Sequence, residues 1–150
     1  MRLNAMYKVK YSKGLMLFAV LMVLSVFSVA QAEEETPENI QGTTRVNADE
    51  VINLVESMPD LTIIDARKTS DREKGYIEGS IGLPDTETDE DALAMHITGK
   101  DTPVLFYCNG VKCGRSVKSA KLAVSLGYSK VYWFRGGWAE WVENGLPVTK

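Results

Sequence analysis

Two cysteines, a lysine and an arginine fall within one short stretch, Cys108-Asn109-Gly110-Val111-Lys112-Cys113-Gly114-Arg115, followed by Ser116. The strand formers Val104-Leu105-Phe106-Tyr107 precede it, and a helical pattern follows. That order puts a thiol at the carboxyl end of a buried strand, on a loop that opens a helix. Ligands of open α/β sheets collect at this place. Unpaired N–H groups and the helix dipole there attract anions and favour thiolate over thiol. A free cysteine titrates near about 8.5, and such surroundings bring it below neutrality, where the thiolate is the nucleophile. Cys108 therefore reads as a nucleophile. The backbone N–H groups from Asn109 to Gly114 read as a cradle for an anion, and Gly110 and Gly114 let the backbone approach closely. Lys112 and Arg115 bring positive charge to the mouth. The plain alternatives are an inert core thiol for Cys108 and solvated surface charge for Lys112 and Arg115.

Cys113 has two readings, and the sequence leaves both open. In an oxidising compartment two cysteines on one loop can form a disulfide or a resolving pair. Alternatively Cys113 only lines the start of the helix. Cys-x-x-x-x-Cys is not a usual zinc spacing, and His96 is the lone histidine of the chain, so neither a metal nor a cofactor is expected. The same shortage of histidine weighs against a Cys-His hydrolase.

The elements that must position this loop lie downstream of an export signal. Arg2, Lys8, Lys10 and Lys13 open the chain, an apolar run from Leu15 to Ala30 follows, and Ala30-Gln31-Ala32 gives a small-x-small cleavage pattern. Residues 1–32 thus read as a secretory signal peptide, which predicts a periplasmic or secreted protein with no membrane attachment after cleavage. The alternative is an uncleaved membrane anchor, for which the run is short against the roughly 20 apolar residues of a spanning helix. Of the 150 residues, 118 then remain, enough for one domain with its own core. Four of the 17 Lys and Arg lie in the signal, so the remainder sets 13 bases against 20 acids, a net of −7. Such a balance argues against nucleic-acid binding.

Residues 33–43 are acidic and polar and read as a flexible leader, with the domain over 44–150. Asn47 with Glu50 gives a capping-box signature for a helix near 48–57. Leu61-Thr62-Ile63-Ile64 predicts a buried strand ending at Asp65, and Ser80–Leu83 a second strand stopped by Pro84. A helix over 89–97 opens on acids, as the dipole favours. After strand 104–107 and the cysteine loop, Val117, Ala120, Ala123 and Val124 mark a helix that ends at Gly127. A strand at 131–134, the turn Gly136-Gly137 and a last helix with Trp138, Trp141 and Val142 complete the pattern; the three tryptophans, Trp133 included, read as core. Strands alternating with helices predict an α/β fold with a mainly parallel sheet flanked by helices on both faces.

Four stretches in this order resemble the rhodanese (sulfurtransferase) family. They are Ile64-Asp65-Ala66-Arg67; the segment from Gly75 to Pro84; Phe106-Tyr107-Cys108 with its loop; and Phe134-Arg135-Gly136-Gly137-Trp138 with Gly145-Leu146-Pro147-Val148. The resemblance spans about residues 44–149. It departs from the family's pattern at Tyr76, where histidine is usual, and at Arg115, seven positions after Cys108 where sulfurtransferases have arginine five after.

The resemblance implies a single rhodanese-like domain that transfers sulfane sulfur from an anionic donor such as thiosulfate to a thiol or cyanide acceptor, through a persulfide on Cys108. Residues 109–116 would bind the anion, and Asp65 and Arg67 would support the strand end. A periplasmic thiol-redox or persulfide-carrier module serving a partner protein is the second expectation. A phosphatase or arsenate-reductase-like activity is the third, disfavoured because no carboxylate lies close in sequence to the loop.

Overall fold

The computed structural model describes residues 36–150, so the signal-peptide reading of 1–32 lies outside the described residues. Five parallel strands form the central sheet in the order β1-β6-β5-β2-β4: β1 (Thr43–Val46), β6 (Val131–Phe134), β5 (Val104–Tyr107), β2 (Thr62–Asp65) and β4 (Ile81–Gly82). The helices between them are α1 (Ala48–Ser57), α2 (Thr69–Arg72), α3 (Glu90–His96), α4 (Arg115–Ser125) and α5 (Gly137–Glu143). A separate antiparallel pair joins β3 (Tyr76–Ile77) to β7 (Val148–Thr149). The expected α/β architecture with a mainly parallel sheet is present.

Side chains alternate across each strand, and β5 shows why both faces need covering. Val104 and Phe106 point into one core with Ile64, Leu93, Val117, Ala120 and Trp133, under α3 and α4. Leu105 and Tyr107 point into the other with Val46, Val51, Ile63, Phe134 and Trp141, under α1 and α5. All four residues of β5 are fully buried, which makes it the rigid centre of the molecule.

The register brings the strand ends into one row. Val46 pairs with Phe134, Phe134 with Tyr107, Tyr107 with Asp65, and Asp65 with Gly82. Whatever follows these residues therefore converges along a single edge, and Cys108 follows the central strand.

Local signals set the helix starts. The Asn47 side chain accepts the Glu50 N–H while the Glu50 carboxylate accepts the Asn47 N–H, so the capping box forms as expected. The Asp89 side chain accepts the Ala92 N–H and starts α3. The flexible leader expected over 33–43 is corrected for its described part. Ile40 is buried in the core against α4 and Tyr128, and Thr36 is buried as well. Arg135 donates to the Thr36 and Pro37 carbonyls, 3.2 Å each, and pairs with Glu38 at 3.0 Å. An apolar anchor and an arginine clamp outweigh the polar composition of this stretch.

Candidate active site

Cys108 ends β5 and is 1% exposed, while Cys113 is half-buried on the rim of the same loop. The two are joined by a disulfide, with their Cα atoms 6.3 Å apart. Of the two readings open for Cys113, the structure thus selects the paired one. Cys108 Sγ also lies 3.1 Å from the Cys113 carbonyl oxygen.

The base of the loop rests on the start of α5. Trp138 N–H donates to the Cys108 carbonyl (2.8 Å) and Ala139 N–H to the Asn109 carbonyl (3.0 Å). This approach requires glycine at 137, where φ is +54° and a Cβ would fall on the Cys108 carbonyl. Within the loop, Cys113 N–H donates to the Gly110 carbonyl at 2.9 Å, so that N–H is withdrawn from the expected anion cradle. The hydroxyl of Thr36 donates to the Val111 carbonyl and fastens the tip to the N-terminal segment. Beyond Gly114, Lys118 N–H closes the first turn of α4 on the Gly114 carbonyl.

Asn109 to Arg115, together with Asp85, line an open basin of about 680 Å³. Arg115 is the first residue of α4. Its Nη1 lies 3.5 Å from Cys113 Sγ, and its Nε lies 3.8 Å from the Asp85 carboxylate. Lys118 reaches the other Asp85 oxygen at 3.4 Å. Lys112 and Val111 are exposed on the loop. Ser116 is corrected: it is buried, its Oγ accepts the Trp133 indole N–H at 3.1 Å, and it does not line the basin. Helical geometry turns it into the core one residue after Arg115.

No carboxylate lies close in sequence to the loop, but the fold brings two there in space. Asp85 enters the basin from the turn after β4. Asp71, on α2, accepts the Asn109 side-chain N–H at 3.1 Å, and that hydrogen bond, ahead of the charge of Lys74, holds its carboxyl below the ordinary value. Neither residue has a local sequence signal, since Asp71 arrives from helix α2 and Asp85 from the turn after β4, both distant in sequence. Thr36 was likewise invisible as a loop contact.

Asp65 and Arg67 stand beneath this layer. Arg67 binds the Asp65 carboxylate through Nε (2.9 Å) and Nη2 (2.7 Å), Arg72 adds a third contact at 3.0 Å, and the Tyr107 hydroxyl a fourth at 2.8 Å. Burial pushes the Asp65 carboxyl up, but the Arg67 hydrogen bonds and charge outweigh it and hold the group below its ordinary value. Burial, reinforced by the Asp65 charge, pushes Tyr107 up to about 12. The Arg67 guanidinium also stacks 4.6 Å from the Trp138 ring. Arg67 thereby supports the residue whose N–H holds the Cys108 carbonyl. At the departure noted in sequence, the Tyr76 ring lies 3.7 Å under the Arg72 guanidinium, a stacking partner for that cation. Among the described residues no cluster of His, Cys, Asp and Glu could hold a metal.

Comparison with known proteins agrees with this geometry. Residues 47–144 match the family model of the rhodanese-like domain. The chain is 34% identical over 139 residues to the mouse (Mus musculus) thiosulfate sulfurtransferase/rhodanese-like domain-containing protein 3, covering 84% of this chain and 82% of that protein. It is 30% identical over 109 residues to the Drosophila melanogaster rhodanese domain-containing protein CG4456, covering 63% of this chain and 94% of that one. Among solved structures, the Alr3790 protein from Anabaena superposes with a TM-score of 0.61 at 26% identity, over 69% of this chain and 90% of that one. A thiol at the end of the central parallel strand, a glycine turn packed under it and a family match spanning both leave one assignment: this chain belongs to the rhodanese-like sulfurtransferase family.

Proposed function

We propose that the protein is a thiosulfate sulfurtransferase-like enzyme that carries sulfane sulfur as a persulfide on Cys108, and that it acts outside the cytoplasm after removal of residues 1–32. The observation that carries this reading is the position of Cys108. It ends the buried central strand, and the loop that follows it, from Asn109 to Arg115, lines an open basin. As a thiolate, Cys108 attacks the outer sulfur of thiosulfate; a Cys–S–S⁻ persulfide forms and sulfite leaves with the electron pair of the broken S–S bond. Cyanide or a thiolate then attacks the outer persulfide sulfur and restores the Cys108 thiolate. Arg115 and the loop amides not spent on internal hydrogen bonds offset the negative charge gathering there. The Cys108–Cys113 bond must be reduced before the first step.

The test uses reduced Cys113→Ser protein with thiosulfate and no acceptor. Stoichiometric sulfite and a mass gain of about 32 Da, one sulfur on a cysteine, support the reading when the adduct maps to Cys108. An adduct that persists in Cys108→Ser overturns it.

The disulfide favours a second reading, in which the cysteine pair exchanges with thiols of a partner protein. It predicts disulfide exchange with a dithiol protein by oxidised wild type and no sulfite release from thiosulfate by the reduced form.

A further inference from the structure

Cys113 stands where it can do more than block Cys108. We propose that Cys113 discharges the Cys108 persulfide, so that the reduced protein converts the sulfane sulfur of its donor to sulfide and ends as the Cys108–Cys113 disulfide. This rests on the sulfurtransferase reading above and names a second fate for the sulfur at that site.

The bound geometry is the product of such a step. The intact fold accommodates a bond between the two sulfurs, with no loop hydrogen bond left to break: Cys113 N–H still reaches Gly110, and the Cys108 carbonyl still accepts from Trp138. The loop is held at its base by α5 and at its tip by Thr36, so the two sulfurs stay neighbours after reduction. An intramolecular thiol in that position competes with dissolved acceptors at high effective concentration. Exposure separates the roles: Cys108 is 1% exposed and Cys113 half-buried. Charge supports the nucleophile, because Arg115 Nη1 lies 3.5 Å from Cys113 Sγ and favours its thiolate.

The step balances as written. The Cys113 thiolate attacks Cys108 Sγ of the protonated persulfide, the Cys108 S–SH bond breaks, and hydrosulfide leaves with the electron pair. The two cysteines are oxidised to cystine, and the sulfane sulfur is reduced to sulfide. An external dithiol then restores the pair by two thiol–disulfide exchanges. Its first attack falls on the accessible Cys113 sulfur and frees the Cys108 thiolate. Over the cycle, one thiosulfate and one dithiol give sulfite, hydrosulfide, a proton and the dithiol's disulfide.

The experiment is a single turnover. Wild-type protein is reduced, freed of reductant and given thiosulfate with no acceptor under anaerobic conditions; sulfite, sulfide and intact mass are followed together. The expected result is sulfite and sulfide in equal amounts, with an intramolecular disulfide and no retained sulfur. Cys113→Ser and Cys113→Ala release sulfite but no sulfide, and keep a mass gain of about 32 Da on Cys108. A wild-type protein that holds the persulfide while Cys113 remains alkylatable overturns the proposal and leaves the sulfurtransferase reading standing. Absence of sulfite from wild type and variants alike overturns both. The wild-type arm decides the matter even where a variant fails to fold.

Discussion

Trp138 holds the carbonyl of Cys108 by a backbone hydrogen bond of 2.8 Å, and its ring lies under the Arg67 guanidinium. Through that one residue the buried ion pair at the end of β2 is coupled to the position of the nucleophile. The coupling requires the backbone of α5 to come within hydrogen-bond distance of the loop, which only a glycine at 137 permits. Gly137→Ala is therefore expected to cost more than about 1 kcal/mol, the usual penalty of a side chain at positive φ, with a clash against the Cys108 carbonyl added. Denaturant unfolding measures the loss. Sulfur transfer by whatever protein remains folded should fall further than stability alone explains.

The Asp65–Arg67 pair gives the second prediction. Both groups are buried and every polar atom is partnered, so removing one leaves an uncompensated charge. Arg67→Ala should destabilise by about 3–5 kcal/mol. The folded pKa of Asp65 lies below the ordinary 3.8 of an aspartate, so the unfolded chain takes up the proton first as pH falls. The stability it contributes is complete above that value and is lost as pH drops through the folded pKa. In Asp65→Asn the acid-side slope of stability against pH should flatten, as urea titrations below pH 4 would show.

What was legible in the sequence was local. The capping box of Asn47 and Glu50, the run Val104–Tyr107 and the glycines around α5 each act through near neighbours, and all appear where expected. The edge strand β1 was not legible, because Thr43-Thr44-Arg45-Val46 is polar and only Val46 is buried. Pairing with β6, far away in sequence, makes it a strand. The same holds at the site. Cys108 announced itself by its place after a strand, whereas Asp85 and Thr36 reach the loop only through tertiary folding. Ser116 was misread because the loop gives way to helix at Arg115, and the helical turn carries the next side chain inward.

Oxidation should silence sulfur transfer. With Cys108 bonded to Cys113, no thiolate is available to attack a donor, so wild type purified without reductant is expected to form little thiocyanate from thiosulfate and cyanide. Prior treatment with a dithiol, followed by its removal, should restore a burst of about one sulfite per protein, after which the pair closes again. In Cys113→Ala the rate should be the same with and without that treatment. Equal sulfite release from thiosulfate by oxidised and reduced wild type would sink the redox dependence.

Export is tested on the protein itself. The basic opening, the apolar run and Ala30-Gln31-Ala32 predict cleavage before Glu33. Intact-mass analysis of protein recovered from outside the cytoplasm should give Glu33 as the first residue. A membrane-bound product that still begins at Met1 would favour the anchor.

Asp85 is the residue that tunes the basin. Among the described residues it is the carboxylate that lines the basin, and it pairs with two cations, Arg115 at 3.8 Å and Lys118 at 3.4 Å. A dianionic donor entering the basin meets that negative charge and must share the guanidinium with it. Asp85→Asn keeps the shape and removes the charge. KM for thiosulfate should fall roughly two- to fivefold, the scale of a partly exposed charge pair, with kcat for thiocyanate formation little changed because Cys108 is untouched. Raising the salt concentration should narrow the gap between variant and wild type, since the effect is electrostatic. A KM that rises in Asp85→Asn would show instead that the carboxylate is needed to orient Arg115 toward the donor, and would reverse its role from competitor to positioning residue.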